Sequence, residues 1–295
     1  MTNKKTTEIP VLWIQGAGCN GCSVSILNSE SPTIKNVLVD ELIPGKHINL
    51  RFHPTIMGGQ GEQVVSTIFE TVKKHKDGYF LVVEGSVQSG ANGSFCTMGA
   101  MSGKHYPFIE VLNEAGKNAT AVIALGSCAT YGGLPSWSPN PTEAKGVREY
   151  FNEKGIHTPV VNVPGCPPHP DWFTGTIAHI LIAGLPDSRH LDDAGRPLAF
   201  FGKLIHENCP RRPYFDAGQF ASQPGEEGCL YELGCKGPIT YADCPTRMWN
   251  SGLNWCIGAG APCAGCVEPD FPHLTTPVYK KVTMERLESF KIKTK

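Results

Sequence analysis

The stretch VLWIQGAGCNGC, from Val11 to Cys22, decides how the first part of the chain is expected to fold. It begins as an apolar run and ends in a glycine-rich loop, which is typical of a buried strand followed by a turn. The loop after a parallel strand is where an α/β domain binds its ligand. Because two intervening residues let the backbone wrap around a metal, Cys19 and Cys22 can converge on one centre. For this pair alone, a redox dithiol, a zinc site and an iron–sulfur site all stay open.

Strand-like and helix-like patterns alternate through the first part of the chain. Apolar runs predict strands at 11–15, 48–53, 79–84, 120–125 and 160–163. Helical periodicity predicts helices at 61–76, 106–116 and 143–153, with a last helix from 177 to 183. Such alternation predicts an α/β fold with a doubly wound parallel sheet, whose ligands lie at the carboxyl ends of the strands. We assign this domain to residues 1–185.

Two further cysteines follow predicted strands. Cys128 comes after the fourth strand in GSCATYGG, and Cys166 comes after the fifth in PGCPPH. Because the carboxyl ends of parallel strands meet at one edge of a sheet, we expect these thiols to approach the first pair. Four thiolates make a closed site for a four-iron cluster. We call these residues the first set: Cys19, Cys22, Cys128 and Cys166.

The regular alternation stops near Pro186, and residues 186–295 are predicted to form an irregular, loop-rich domain rich in proline and cysteine. The spacing of seven cysteines there gives two groups. The late set is Cys244, Cys256, Cys263 and Cys266. The other group has three cysteines, and His206 in HENC supplies the fourth ligand, since imidazole can replace thiolate on iron. This histidine set is His206, Cys209, Cys229 and Cys235. Cys96 is left over, and we expect it to be a structural thiol.

Composition excludes several classes of protein. The net charge of −1 gives no basis for a nucleic-acid partner, and the polar first residues carry no apolar leader. No stretch reaches the roughly 18 apolar residues of a membrane span, so we expect no transmembrane segment. The twelve cysteines could form six disulfides in a secreted protein, but their Cys-x-x-Cys spacing favours metal binding.

Charged residues avoid the first set and most of the late set. Asp, Glu, Lys and Arg are absent from 9–29, 118–142, 155–170 and 248–267. The histidine set, in contrast, lies among Lys203, Glu207, Arg211, Arg212, Glu226, Glu227, Glu232 and Lys236. Because charged side chains prefer water, this placement predicts that the first and late sets are buried and that the histidine set lies near the surface. A series of one-electron centres from buried to exposed indicates electron transfer and not hydrolysis.

Together these motifs resemble those of the small, electron-transferring subunit of nickel–iron hydrogenases, over nearly the whole chain. The resemblance implies a flavodoxin-like first domain that binds no flavin. It also implies that the first set holds a proximal, the late set a medial and the histidine set a distal 4Fe-4S cluster. The nickel–iron centre would belong to a separate large subunit, the obligate partner.

One departure from the common pattern is informative. Many members of that family have proline where this chain has Cys256, and their medial cluster contains three irons. A cysteine at this position resembles the nickel–iron–selenium branch, whose medial cluster has four. Oxygen-tolerant members carry an extra cysteine beside the second proximal ligand, and Gly21 does not supply it.

The resemblance therefore implies the electron-relay subunit of a heterodimeric hydrogenase, which interconverts H2 with protons and electrons. The external carrier is expected to be a multihaem cytochrome c or a ferredoxin. We expect a periplasmic mature chain whose leader has been removed, with a cytoplasmic location as the alternative. No catalytic residue is identified in this chain. Glu84 is interpreted as a hydrogen-bonded carboxylate at a strand end and not as a proton carrier.

Two other functions stay open at this point. One is the cluster-bearing subunit of a quinone-reducing respiratory complex, which is disfavoured because its relatives lack the two C-terminal clusters. The other is a ferredoxin-like carrier that works without an enzyme partner. Such a carrier has no need for long uncharged loops around its first centre.

Overall fold

The structure is a computed structural model that describes residues 6–38, 40, 43–273, 279–283 and 285. It divides into two compact units, Met1–Arg196 and Pro197–Lys295. This division lies beyond the boundary at residue 185 that the sequence suggested. The chain after the last helix returns to the sheet, where the backbone N–H of Asn162 donates to the Gly195 carbonyl at 2.9 Å. The Asn162 side chain also donates to the Ala194 carbonyl at 2.7 Å.

In the described part of the first unit, five strands form a parallel sheet. They are β1 (Thr7–Gln15), β2 (Lys46–Phe52), β3 (Phe80–Glu84), β7 (Ala121–Leu125) and β9 (Val160–Val163). Two short antiparallel pairs lie outside this sheet: β4 (Val87–Gln88) with β8 (Ala144–Lys145), and β5 (Thr97–Met101) with β6 (Lys104–Pro107). The strands lie in the order β2-β1-β3-β7-β9. Numbered along the chain within this sheet, that is 2-1-3-4-5, which is the order of flavodoxin-like folds. The predicted α/β fold is confirmed.

The strands of the sheet are mainly apolar, and β7, which has a strand on either side, is apolar along its whole length. Every residue of β7, with the sequence AVIAL, is fully buried. Parallel strands buried on both faces are continuous apolar runs of this kind, without alternation of polar residues. The five strand predictions were correct to within a few residues for this reason.

The helices of the first unit are α1 (Gly21–Leu27), α2 (Ile34–Leu38), α3 (Glu62–Lys74), α4 (Phe108–Lys117), α5 (Gly126–Tyr131), α6 (Val147–Lys154) and α7 (Pro170–Ala183). Three of these, α3, α4 and α6, were predicted from periodicity. The last helix begins at Pro170 and not at residue 177, because proline suits the first helical position and the His169 side chain accepts the N–H of Asp171 at 3.1 Å. The short helices α1 and α5 were not predicted, since each is too brief to show a period.

The second unit has only short helical segments in its described residues. They are α8 (Leu198–Phe201), α9 (Arg212–Asp216) and α10 (Cys244–Arg247), with 3₁₀ turns at Ile205–Glu207, Leu230–Leu233 and Gly237–Ile239. A small core of Cys229, Tyr231, Ile239 and Val282 is covered by the Tyr214 and Phe215 rings. Across the described ranges of both units, no helix has the length and apolar character needed to span a bilayer.

Candidate metal centres

The first set lines one pocket at the carboxyl edge of the parallel sheet. Cys19 precedes α1, Cys22 lies in its first turn, Cys128 lies in α5 and Cys166 follows β9. All four line an open pocket of about 410 Å³. The structure thus brings together the four thiols that the strand pattern had placed at one edge.

Two glycines let the backbone approach these thiols directly. A Cβ at Gly126 would lie 2.3 Å from Sγ of Cys22, and one at Gly133 would lie 3.0 Å from Sγ of Cys128. Both glycines also have positive φ, at +85° and +53°, which other residues rarely adopt. The glycines of the motif therefore keep free the space around two of the four sulfur atoms.

Glu84, at the end of β3, lines the same pocket as the first set and is only 2% exposed. Its carboxylate accepts hydrogen bonds from Trp13 Nε1 at 3.0 Å, Gln15 Nε2 at 2.9 Å and the Ser23 backbone N–H at 3.1 Å, and from the Ser23 hydroxyl as well. The interpretation of Glu84 as a hydrogen-bonded strand-end carboxylate agrees with these contacts. They anchor the start of α1, which carries Cys22.

Burial and negative neighbours work against ionisation of the first-set thiols. Burial raises the pKa of Cys22 well above its usual value, with a further contribution from Glu84. Burial also raises the pKa of Cys128 to about 12, with the Cys166 and Cys19 sulfur atoms adding to the effect. A positively charged metal centre is what stabilises several thiolates in such surroundings. The donor chemistry therefore fits an iron–sulfur cluster.

The histidine set lines a second pocket, inside the second unit. His206, Cys209, Cys229 and Cys235 surround about 310 Å³ together with Arg211. The His206 ring contacts the Phe215 ring edge-on, with 4.6 Å between ring centroids. Burial raises the pKa of Cys235 to about 11. The structure thus places His206 with the three cysteines that lacked a fourth partner.

The cysteines of the late set are also neighbours. Burial raises the pKa of Cys244 well above its usual value, and Cys266 and Cys256 add to the effect. The pKa of Cys263 rises for the same reason, with Cys235 as the largest contributor among the neighbouring sulfurs. Cys263 also donates its backbone N–H to Sγ of Cys235 at 3.3 Å. The late set and the histidine set therefore meet at Cys263 and Cys235.

The arrangement of these thiols suits a multi-iron cluster better than a single ion. All twelve cysteines lie in described residues, and each is free of disulfide bonds. Over the same described ranges, no group of three or more His, Cys, Asp or Glu side chains is arranged to hold one metal ion. The thiols of the first set and of the histidine set stand around pockets, so each of these two sets can enclose a body larger than an ion.

Comparisons with known proteins agree with this geometry. The family model for the C-terminal part of the NiFe/NiFeSe hydrogenase small subunit matches residues 201–279. A second model, for the 20 kDa subunit of NADH ubiquinone oxidoreductase, matches residues 19–180. The periplasmic [NiFeSe] hydrogenase small subunit of Desulfomicrobium baculatum is 44% identical over 281 residues, which cover 92% of this chain and 87% of the relative. The chain belongs to the NiFe/NiFeSe hydrogenase small-subunit family.

Other members support the same assignment. The periplasmic [NiFe] hydrogenase small subunit of Solidesulfovibrio fructosivorans is 41% identical over 276 residues, which cover 92% of this chain and 81% of the relative. The crystal structure of the reduced, active Ni-Fe-Se hydrogenase from D. baculatum matches with a TM-score of 0.87, covering 94% of this chain and 100% of that chain. The family predicted from the cysteine motifs is confirmed.

The predicted burial is wrong for the first set and for the histidine set of this hydrogenase small subunit taken alone, and only partly right for the late set. Cys19 and Cys166 are exposed and Cys229 and Cys235 are buried, whereas the late set has Cys263 buried and Cys256 exposed. The absence of charged residues predicts that a loop is shielded from water in the assembled protein. It does not say whether the covering surface belongs to the same chain or to another chain.

The burial of Lys236 differs from the solvent-exposed position that its charge predicted. The prediction counted it among the charged residues that keep the histidine set near water, but it is only 2% exposed. A single lysine beside a cysteine gives no sequence signal that separates a buried cation from a surface one. Its environment becomes visible only in the structure.

Cys96 lies apart from the three sets. It is half-buried and packs against the core cluster of the first unit, which includes Phe108 and Val111. Burial raises the pKa of its thiol. This setting supports the expectation that Cys96 fills space in the core.

Proposed function

We propose that the chain is the electron-relay small subunit of a heterodimeric hydrogenase, with three 4Fe-4S clusters held by the first, late and histidine sets. The observation that carries the proposal is that two separate pockets each collect one complete set of four ligands. When bound, iron–sulfur clusters accept and release single electrons. The described side chains would hold these clusters at fixed positions and limit the access of water to them.

The late set is proposed to hold a four-iron cluster because Cys256 gives it a fourth thiol. Cys256 contributes to the raised pKa of Cys244, so it lies within electrostatic reach of the rest of the set. A chain with proline at this position would leave the set with three thiols. This residue supports membership of the nickel–iron–selenium branch.

The first set is proposed to face the large subunit, which carries the nickel–iron centre. Exposed apolar side chains follow two of its ligands along the chain: Val24, two residues after Cys22, is 53% exposed, and Leu134, six residues after Cys128, is 49% exposed. Exposed apolar surface on a protein commonly marks an interface. The small subunit is proposed to work in the periplasm and to pass electrons to a multihaem cytochrome c or a ferredoxin.

Co-expression with a candidate large subunit tests this function. We expect a complex that contains nickel, about twelve iron atoms in this chain and H2-dependent reduction of an electron-accepting dye. Iron and acid-labile sulfide analysis gives the cluster count. A well-behaved, fully loaded monomer without a nickel-bearing partner would contradict the proposal.

The match of residues 19–180 favours a second candidate, the cluster-bearing subunit of a quinone-reducing complex. That match covers the first set but ends before the histidine set and the late set. Three occupied sets and nickel in the partner would support the hydrogenase, whereas one occupied set and quinone-linked activity would support the alternative.

A further inference from the structure

Arg211 is a charged residue in the wall of the histidine-set pocket. It lies two residues after Cys209 and lines the pocket together with all four ligands of the set. Burial raises the pKa of the Cys209 thiol, and a hydrogen bond that the Arg211 backbone N–H donates to this thiol opposes the rise. The chain after Cys209 therefore turns back toward its own sulfur atom and brings Arg211 to the ligands.

The guanidinium charge of Arg211 acts on two thiols of this set. Burial raises the pKa of Cys209 and of Cys229, and the positive charge of Arg211 lowers the pKa of both. At Cys229 the Cys209 sulfur and the Glu232 carboxylate act in the opposite direction. Arginine stays charged at every pH at which proteins are folded. A charge that favours thiolate over thiol also favours the negative charge that an added electron brings to a cluster.

The same side chain joins the segments that carry two of the ligands. Its Nη1 donates to the carbonyl oxygens of Glu226 and Gly228, at 2.7 and 2.6 Å. The Gly228 carbonyl belongs to the peptide bond that leads into Cys229. Arg211 thus ties the chain that follows Cys209 to the chain that precedes Cys229.

These hydrogen bonds fix the position of Arg211 without cancelling its charge. Both acceptors are neutral carbonyl oxygens. The Glu226 carboxylate has donors of its own, since it accepts the backbone N–H of Ser222 and the side-chain amide of Gln223, each at 2.8 Å. Arg211 is half-buried, and water and salt screen a charge in such a position less than they screen one in open solvent.

We propose that Arg211 is a positioning residue of the relay, whose side chain ties the segments of Cys209 and Cys229 together and whose fixed positive charge raises the reduction potential of the histidine-set cluster. The step concerned moves one electron from the late set to the histidine set. The late-set cluster is oxidised and the histidine-set cluster is reduced, with no bond made or broken. The inference rests on the proposed function, because it requires clusters at both sets.

The test compares four variants of the purified heterodimer. Arg211→Met removes the charge and the donors, Arg211→Gln removes the charge but keeps a donor, and Arg211→Lys keeps the charge. Arg189→Met is the control, because it removes an exposed arginine of the first unit that pairs with Asp187. Redox titration followed by EPR gives the midpoint potential of the histidine-set cluster. Iron content and the rate at which a chelator removes iron are measured on the same samples.

We expect Arg211→Met and Arg211→Gln to lower this potential by the equivalent of at least a threefold change in the electron-exchange equilibrium. This corresponds to about 28 mV, since a tenfold change is about 59 mV for one electron. Arg211→Met should also lose iron to the chelator faster, because it has no donor for the two carbonyl groups. Arg211→Lys should stay near the wild-type potential, and Arg189→Met should change neither property. A purely structural role would speed the loss of iron and leave the potential unmoved.

Each outcome decides the question. If Arg211→Met loses the histidine-set cluster, retention of the cluster in Arg211→Lys at the wild-type potential and a lower potential in Arg211→Gln support the inference. It is overturned if all three Arg211 variants lose the cluster, or if Arg211→Gln and Arg211→Lys have the same potential. Full loading with unchanged potentials in Arg211→Met and Arg211→Gln also overturns it. A wild-type complex with fewer than three clusters would instead refute the proposed function.

Discussion

The first set and the histidine set achieve the same grouping of four ligands by opposite means. The first set is placed by regular structure, since its cysteines follow β1, β7 and β9 at one edge of a parallel sheet. The histidine set is placed by loops and 3₁₀ turns that pack around a small core. The sheet edge leaves Cys19 and Cys166 exposed, whereas the small core of the second unit buries Cys229 and Cys235.

The charges beside the two sets also differ in sign. The buried carboxylate of Glu84 lines the pocket of the first set, while the guanidinium-bearing Arg211 lines the pocket of the histidine set. Arg211 is fixed by hydrogen bonds to the carbonyl groups of Glu226 and Gly228, at 2.7 and 2.6 Å. Negative charge lowers a reduction potential and positive charge raises it. Clusters held by the first set and by the histidine set, as proposed, would therefore be biased in opposite directions.

The largest expected effect comes from filling the space that the sheet edge leaves around the first set. Gly126→Ala would place a Cβ 2.3 Å from Sγ of Cys22 at a residue with φ of +85°. We expect the complex to lose about four iron atoms, those of the first set, and nearly all H2-dependent dye reduction. Iron analysis and the activity assay measure both.

Gly155→Ala is the matched control for this substitution. Gly155 has a φ of +63° in the C-cap of α6, but a Cβ there meets nothing within 4 Å. We expect a cost of about 1 kcal/mol in the free energy of unfolding and a full iron content. Full iron content in Gly126→Ala would show that the sheet edge tolerates displacement of Cys22.

The second-largest effect on iron content is expected from substitution of His206. This substitution tests whether the histidine set needs an imidazole ligand. His206→Ala should lose the cluster of that set, while His206→Cys should keep it with a shifted potential, because thiolate adds a negative charge. Hydrogen–deuterium exchange at the nickel–iron centre should persist in both variants, since that chemistry belongs to the partner. His157→Ala, at an exposed histidine of the first unit, is the control. Full iron and normal turnover in His206→Ala would require another fourth ligand.

The third prediction tests the difference in charge. Glu84→Gln removes the carboxylate and turns one acceptor into a donor that faces Trp13 and Gln15. We expect a loss of about 1–3 kcal/mol of stability from unmatched donors and a higher potential at the first set. Redox titration of the first-set cluster measures this shift. An unchanged or lower potential in Glu84→Gln would contradict the electrostatic comparison.

The sequence was sufficient for what depends on apolar runs and cysteine spacing. The strands, the sheet and the cysteines that meet at the two pockets follow from these patterns, since buried parallel strands are mainly apolar and the cysteines recur at short intervals. Helices α1 and α5 could not be predicted because a helix of six or seven residues shows no period. The burial of Lys236 and the exposure of Cys19 depend on distant segments and on partner surfaces, which local sequence does not encode.

The smallest effect is expected from substitution of Cys96. Comparing this substitution with the same change at Cys209 distinguishes a thiol that packs in the core from one that is proposed to bind iron. Cys96 and Cys209 are both half-buried, and burial raises the pKa of both thiols. They differ in surroundings, since Cys96 packs against the core of the first unit and Cys209 lines the histidine-set pocket. Cys96→Ala should keep the full iron content and lose about 1–3 kcal/mol of stability through lost packing. Cys209→Ala should lose the iron of its set. Because both thiols are half-buried and burial raises the pKa of each, a loss of iron in the Cys96 variant would show that grouping by pocket does not identify the ligands.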